Sequence, residues 1–104
     1  MSFFEPITGA DFNEKLEKAR SIPGAMIVDV RGDGEFAAGH VPGATHIPMN
    51  TIAGLDVPRD TPIFLYCLSG ARSQRCAKAL TEKMGYTNVT NLGGIVDYKG
   101  EKEM

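Results

Sequence analysis

Cys67 and Arg72 are separated by four residues in the stretch YCLSGARS, residues 66–73. A thiol and a guanidinium so close together, with only small or apolar residues between them, suit nucleophilic chemistry. The reactive form of a cysteine is the thiolate. It forms where amide donors, a helix N-terminus or a cation offset its charge. Leu68, Ser69, Gly70, Ala71, Arg72 and Ser73 can curl tightly enough to turn successive N–H groups inward as an anion nest. The helix that follows aims the positive end of its dipole at the same point. Arg72 adds a forked donor suited to an oxyanion. The segment predicts a nucleophilic Cys67 that attacks a group bearing negative charge, such as a thiosulfonate or a phosphate ester. Free cysteines are often inert core residues, but nest, helix start and arginine all converge on this one sulfur.

Other candidates weigh differently. Cys76 shares a helix face with Ala77 and Leu80, which favours core packing over a resolving thiol. Eight residues separate the two cysteines, a spacing foreign to zinc sites, and His40 and His46 are badly placed to complete one. No metal and no cofactor are expected. Asp29, Arg31 and Glu35 are read as supporting residues, because buried or half-buried charges are usually paired. Arg31 is expected to pair with Glu35 across the start of a short helix. Asp29, at a strand's carboxyl end, is expected to brace the active-site loop. His40 reads as a turn residue, and Gly93 and Gly94 serve backbone geometry.

The elements that must position these residues follow from pattern. Residues 8–11 have the form of a helix start, and Phe12, Leu16 and Ala19 continue at helical spacing through Arg20. Residues 25–30 and 62–66 are continuous apolar runs of strand length, as in parallel strands covered on both faces. A short helix fits 35–38, with Asp33 as its cap and Gly39 as its stop. Residues 45–47 suit a brief strand and 51–54 one helical turn. A helix is expected over 73–84, ended by Gly85, and a strand over 88–92. The polar tail KGEKEM reads as frayed. Strands alternating with helices argue for an α/β domain with a mostly parallel sheet. In such sheets ligands bind at the carboxyl ends of the strands, where Cys67 sits.

Bulk properties narrow the class. A chain of 104 residues is one domain. A net charge of −2, with the signs mixed along the chain, gives no signal for nucleic acid or a membrane surface. The N-terminus MSFFEPITGADF lacks the features of a secretory signal, and no apolar run approaches membrane-spanning length. A cytoplasmic monomer is the expectation.

The chain resembles the rhodanese family, as a single domain over 1–104 with its core at about 5–100. IVDVRGDGEFAAGHVPGATHIP is similar to the family's first signature, YCLSGARS to its active-site loop and NLGGIVDYKG to its closing segment. Their order and spacing together are specific. The resemblance implies a three-layer α/β domain with a central five-stranded parallel sheet flanked by helices. It implies a sulfurtransferase in which Cys67 takes the outer sulfur of thiosulfate or another persulfide donor and passes it to a thiol or protein acceptor. Main-chain N–H groups from Leu68 to Ser73 would cradle the persulfide, and Arg72 would steady a sulfonate.

Two alternatives remain. One is a non-catalytic interaction module on the same fold, against which the retained cysteine argues. The other is a phosphatase, whose loop places five residues between cysteine and arginine rather than four. Two departures from the family pattern stand out. Tyr98 occupies a position where the family often has Trp. The loop holds a single cation, so thiosulfate is expected to bind weakly and a persulfide or polysulfide to be the better donor.

Overall fold

Residues 25–30 and 62–66 are too short for a stable isolated helix and too apolar for an exposed loop, so they are best buried as strands. In the computed structural model, which describes residues 9–104 and their side chains from residue 12, they form β1 (Met26–Asp29) and β3 (Ile63–Cys67). The two pair in parallel, from Met26 opposite Ile63 to Asp29 opposite Tyr66. β2 (Thr45–His46) flanks β1 and β4 (Val89–Gly94) flanks β3, giving a parallel sheet of order β2-β1-β3-β4. Helices α1 (Gly9–Ser21), α2 (Asp33–Ala38) and α3 (Ala71–Glu82) complete the alternation.

Strand periodicity sorts the core into two halves. Val28, Val30, Ile63, Leu65 and Cys67 face one side, against Cys76, Ala77 and Leu80 of α3. Ile27, Phe64, Tyr66 and Leu92 face the other, against Phe12, Leu16 and Ala19 of α1. Burial on both faces is why the central strands are continuous apolar runs. It also fixes the direction of Cys67. As the residue two beyond Leu65 it points to the α3 side.

Several expectations need correction. Four strands are found among the described residues, not five. Outside these four strands His40 and Glu103 form a single antiparallel bridge, too short to count as a strand. That bridge also holds the tail, which is not frayed: His40 and Glu103 exchange both backbone hydrogen bonds at 2.8 Å, and the Tyr98 hydroxyl donates to the Glu101 carbonyl. The helix-start signal at Thr8 lies outside the described residues. No helix among the described residues is long and apolar enough to cross a membrane.

Candidate functional site

β3 ends at Cys67, and the chain must then turn into α3 within three residues. Gly70 makes the turn with φ +100°, a backbone region that other residues enter only under strain. The helix begins at Ala71, two residues earlier than the sequence pattern indicates, so Arg72 and Ser73 stand inside its first turn. The N–H of Ser73 is then one of the orphan donors of a helix start. Its partner is the cysteine sulfur.

The Cys67 side chain is 1% exposed. Its Sγ accepts the Gly70 N–H at 3.0 Å and the Ser73 N–H at 3.4 Å, with the Ser73 hydroxyl also at 3.4 Å. The Ser69 amide contributes as well. Burial by itself would raise the thiol's pKa, yet the pKa lies below its ordinary value, because the Ser73 hydroxyl and these three amides together outweigh burial. The nest is therefore narrower than the whole loop. Ser69, Gly70 and Ser73 face the sulfur, while the amides of Leu68, Ala71 and Arg72 are not among its partners. Leu68 instead presents its side chain to solvent, 45% exposed.

Arg72 is oriented by Glu35. Its two terminal nitrogens donate to the two carboxylate oxygens at 2.8 and 2.9 Å. This overturns the expected pairing of Arg31 with Glu35. Arg31 is bound instead to Asp29, through Nε and Nη2 at 2.7–3.0 Å, and donates to the Gly39 carbonyl at 2.7 Å. The Asp29 carboxylate also accepts the Arg31 N–H at 2.8 Å. It braces the chain leaving β1 and not the loop after β3. Two residues along an extended chain lie on one face, which brings Asp29 and Arg31 together. Glu35 is turned toward the loop by α2, whose N-cap is Gly32 rather than Asp33 and whose Glu35 accepts the Gly32 N–H at 3.1 Å. The Arg72 hydrogen bonds are the main reason that the Glu35 carboxyl is held down at about 2. α2 is itself fixed by a ring stack, with Phe36 lying 3.8 Å from His40 and 4.4 Å from His46 between ring centres.

Asn91 is the residue that the sequence reading missed. It sits on β4 opposite Leu65, next to the cysteine. Its Oδ1 accepts the Gly93 N–H at 3.0 Å and its Nδ2 donates to the Gly70 carbonyl at 3.1 Å, so both ends of its amide are fixed. The Ser73 hydroxyl lies 2.7 Å from that Oδ1 and 3.2 Å from the Gly70 carbonyl. A polar residue inside a strand beside two glycines was the available signal. Gly94 is set opposite Cys67 by a one-residue bulge in β4. A Cβ there would collide with the Leu68 carbonyl oxygen and come within 2.7 Å of the Ser69 Cα. The closing segment thus packs its backbone directly under the loop. Cys76 lies buried in α3, and burial first, then the charge of Cys67, pushes its thiol up to about 11. It is packing, as its helix face implied.

The Rhodanese-like domain family matches residues 9–101. A protein of Allochromatium vinosum named sulfurtransferase is 41% identical over 75 residues, covering 68% of each chain. The uncharacterized Bacillus subtilis protein YqhL is 39% identical over 80 residues, which are 74% of this chain and 63% of YqhL. The crystal structure of a rhodanese-like domain protein from Staphylococcus aureus superposes with a TM-score of 0.76 at 30% identity, over 94% of this chain and 95% of that one. Family profile, relatives and fold coincide: the chain belongs to the rhodanese family.

Proposed function

We propose that the protein is a sulfurtransferase that carries a sulfane sulfur on Cys67 as a persulfide. The observation that carries this reading is the environment of one sulfur atom. It is buried, it accepts the N–H groups of Gly70 and Ser73, and its pKa is lowered, with the Ser69 amide contributing. A thiolate held so is a ready nucleophile. In the first step Sγ attacks the outer sulfur of the donor. The donor's S–S bond breaks, and its electron pair leaves on sulfite or on a thiolate. In the second step an acceptor nucleophile takes the outer sulfur, and the electron pair of the Cys67 persulfide bond returns to Sγ. The other N–H groups of the loop and helix start, from Leu68, Ala71 and Arg72, would serve the outer sulfur and its charge. Donor and acceptor would enter by the loop mouth beside Leu68.

Intact mass spectrometry after incubation with thiosulfate or polysulfide tests this. One extra sulfur is expected on Cys67, and cyanide should remove it as thiocyanate. Cys67→Ser should take up none, and Cys76→Ser should load as the parent does. A folded protein with a free Cys67 thiol that loads from neither donor, nor from a protein persulfide, would move the reading to a docking module on this fold.

A further inference from the structure

The guanidinium at the mouth of the loop, that of Arg72, already has a carboxylate of its own, and that of Arg31 is buried away from the mouth on Asp29. Arg31 and Arg72 line one shallow groove of about 220 Å³, together with Val30, Pro48 and Met49. Arg31 is bound through two nitrogens to the fully buried Asp29. Arg72 is bound through two nitrogens to Glu35, with both side chains only about one third exposed, at 34% and 36%. With Cys67 as thiolate, these five groups sum to one negative charge. Arg75, in the next turn of α3, is exposed, where salt screens it. Met49 of this groove and Leu68 of the loop are among the few large apolar side chains left exposed, and Asn50 is the uncharged polar residue in the groove's lining.

We propose that Glu35 determines donor specificity by occupying Arg72, so that the site disfavours thiosulfate and prefers a thiol persulfide. This rests on the sulfur-transfer reading of Cys67. Thiosulfate brings two negative charges, one of them on a sulfonate that needs an unpaired cation near the thiolate. Glu35 holds the nitrogens that would meet it. Its anchoring by the Gly32 N–H keeps the carboxylate in place as α2 begins. A thiol persulfide, R–S–SH, needs no such cation. Sγ bonds to its outer sulfur, the S–S bond breaks, R–S⁻ leaves with the electron pair, and the proton stays on the transferred sulfur. Its organic part can lie on Leu68 and Met49.

Glu35→Gln is the discriminating variant. It keeps an acceptor for the Gly32 N–H and removes the charge. In a Cys67→Ser background, inorganic sulfate is titrated at low ionic strength and followed by the amide shifts of residues 68–73. Glu35→Gln should tighten sulfate binding about tenfold, the scale of one hydrogen bond to a charged group. Adding Arg72→Met should abolish the gain. Equal sulfate affinity with and without Glu35, or a gain that survives Arg72→Met, overturns the proposal. With Cys67 intact, loading rates from thiosulfate and from glutathione persulfide are compared by mass spectrometry. The persulfide should be preferred by the parent, and Glu35→Gln should shift the ratio toward thiosulfate by a similar factor. A parent that prefers thiosulfate also overturns it. Loading from neither donor overturns the donor preference, and, if polysulfide and a protein persulfide fail as well, the sulfur-transfer reading with it, whereas the sulfate titration still decides whether Glu35 masks Arg72.

Discussion

Two cysteines nine positions apart have opposite characters, and hydrogen bonding separates them. Both are buried. Burial raises the pKa of both, but only Cys67 has donors aimed at its sulfur. The Ser73 hydroxyl is the side-chain donor among them and has one hydrogen for three neighbours: Sγ at 3.4 Å, the Gly70 carbonyl at 3.2 Å and Asn91 Oδ1 at 2.7 Å. Asn91 cannot reverse its amide, because the Gly93 N–H and the Gly70 carbonyl fix both ends. One proton cannot serve all three, so the hydroxyl donates to the sulfur only at the expense of Asn91 Oδ1 and the Gly70 carbonyl. Removing it in Ser73→Ala should move the pH profile of Cys67 alkylation by iodoacetamide to higher pH and lower the rate at pH 7 by about tenfold, the scale of one hydrogen bond to a charged group. Ser73→Thr, which keeps the hydroxyl, should restore most of the rate. An unchanged profile in Ser73→Ala would leave the amides as the sole cause of the acidity. The thiol and the loop were legible in YCLSGARS because they are contiguous. Asn91 was not, because its role depends on the pairing of β4 with β3, which the sequence does not spell out.

Element boundaries matter at this site, because a helix start and a strand end share one sulfur. β3 delivers Cys67 to the α3 face, α3 delivers the Ser73 N–H, and β4 slides its backbone beneath both at Gly94. The atoms that a Gly94 Cβ would meet belong to the backbone of Leu68 and Ser69 and cannot swing aside. Gly94→Ala should displace the loop, cost about 1–3 kcal/mol by overpacking and abolish most of the acidity of Cys67. Urea denaturation and the alkylation profile check the two effects separately. Most elements were legible from apolar runs and helical spacing, since these report burial directly. The start of α3 was read two residues late, because Gly70 looks like loop and in fact caps the helix. Sequence spacing singles out Arg31, Glu35 and Arg72, but it pairs Arg31 with Glu35, whereas the fold gives each of them another partner. Strand parity puts Arg31 on the same face as Asp29, and the fold brings Glu35 across 37 residues to Arg72. Local spacing can show the first arrangement, but the second needs the tertiary structure.

At the scale of the molecule, two arginine–carboxylate pairs should differ in worth, since one lies inside and the other is partly open to water. Asp29 is fully buried and Arg31 nearly so, and Arg31 also joins the end of β1 to the Gly39 carbonyl before β2. Arg31→Ala would leave the Asp29 carboxylate inside the core with no cation, only a backbone N–H and the Tyr66 hydroxyl beside it, a loss of about 3–5 kcal/mol for one partner of a buried pair. Arg72→Ala breaks a pair that water already reaches, so its cost should stay within about 1 kcal/mol. pH gives the second contrast a sign. The folded state lowers the Glu35 carboxyl from 4.5 to about 2. The pair's stabilisation is therefore fully present above about pH 5 and is lost as pH falls toward 2. Urea midpoints for the parent and Arg72→Ala should differ by a constant small amount from neutral pH down to about 5, then converge on further acidification. A gap that widens toward acid pH would mean that the Glu35 carboxyl is not held low by Arg72. A cost for Arg31→Ala as small as that for Arg72→Ala would mean that water reaches Asp29 and that the end of β1 is held by its backbone bonds to β2 and β3.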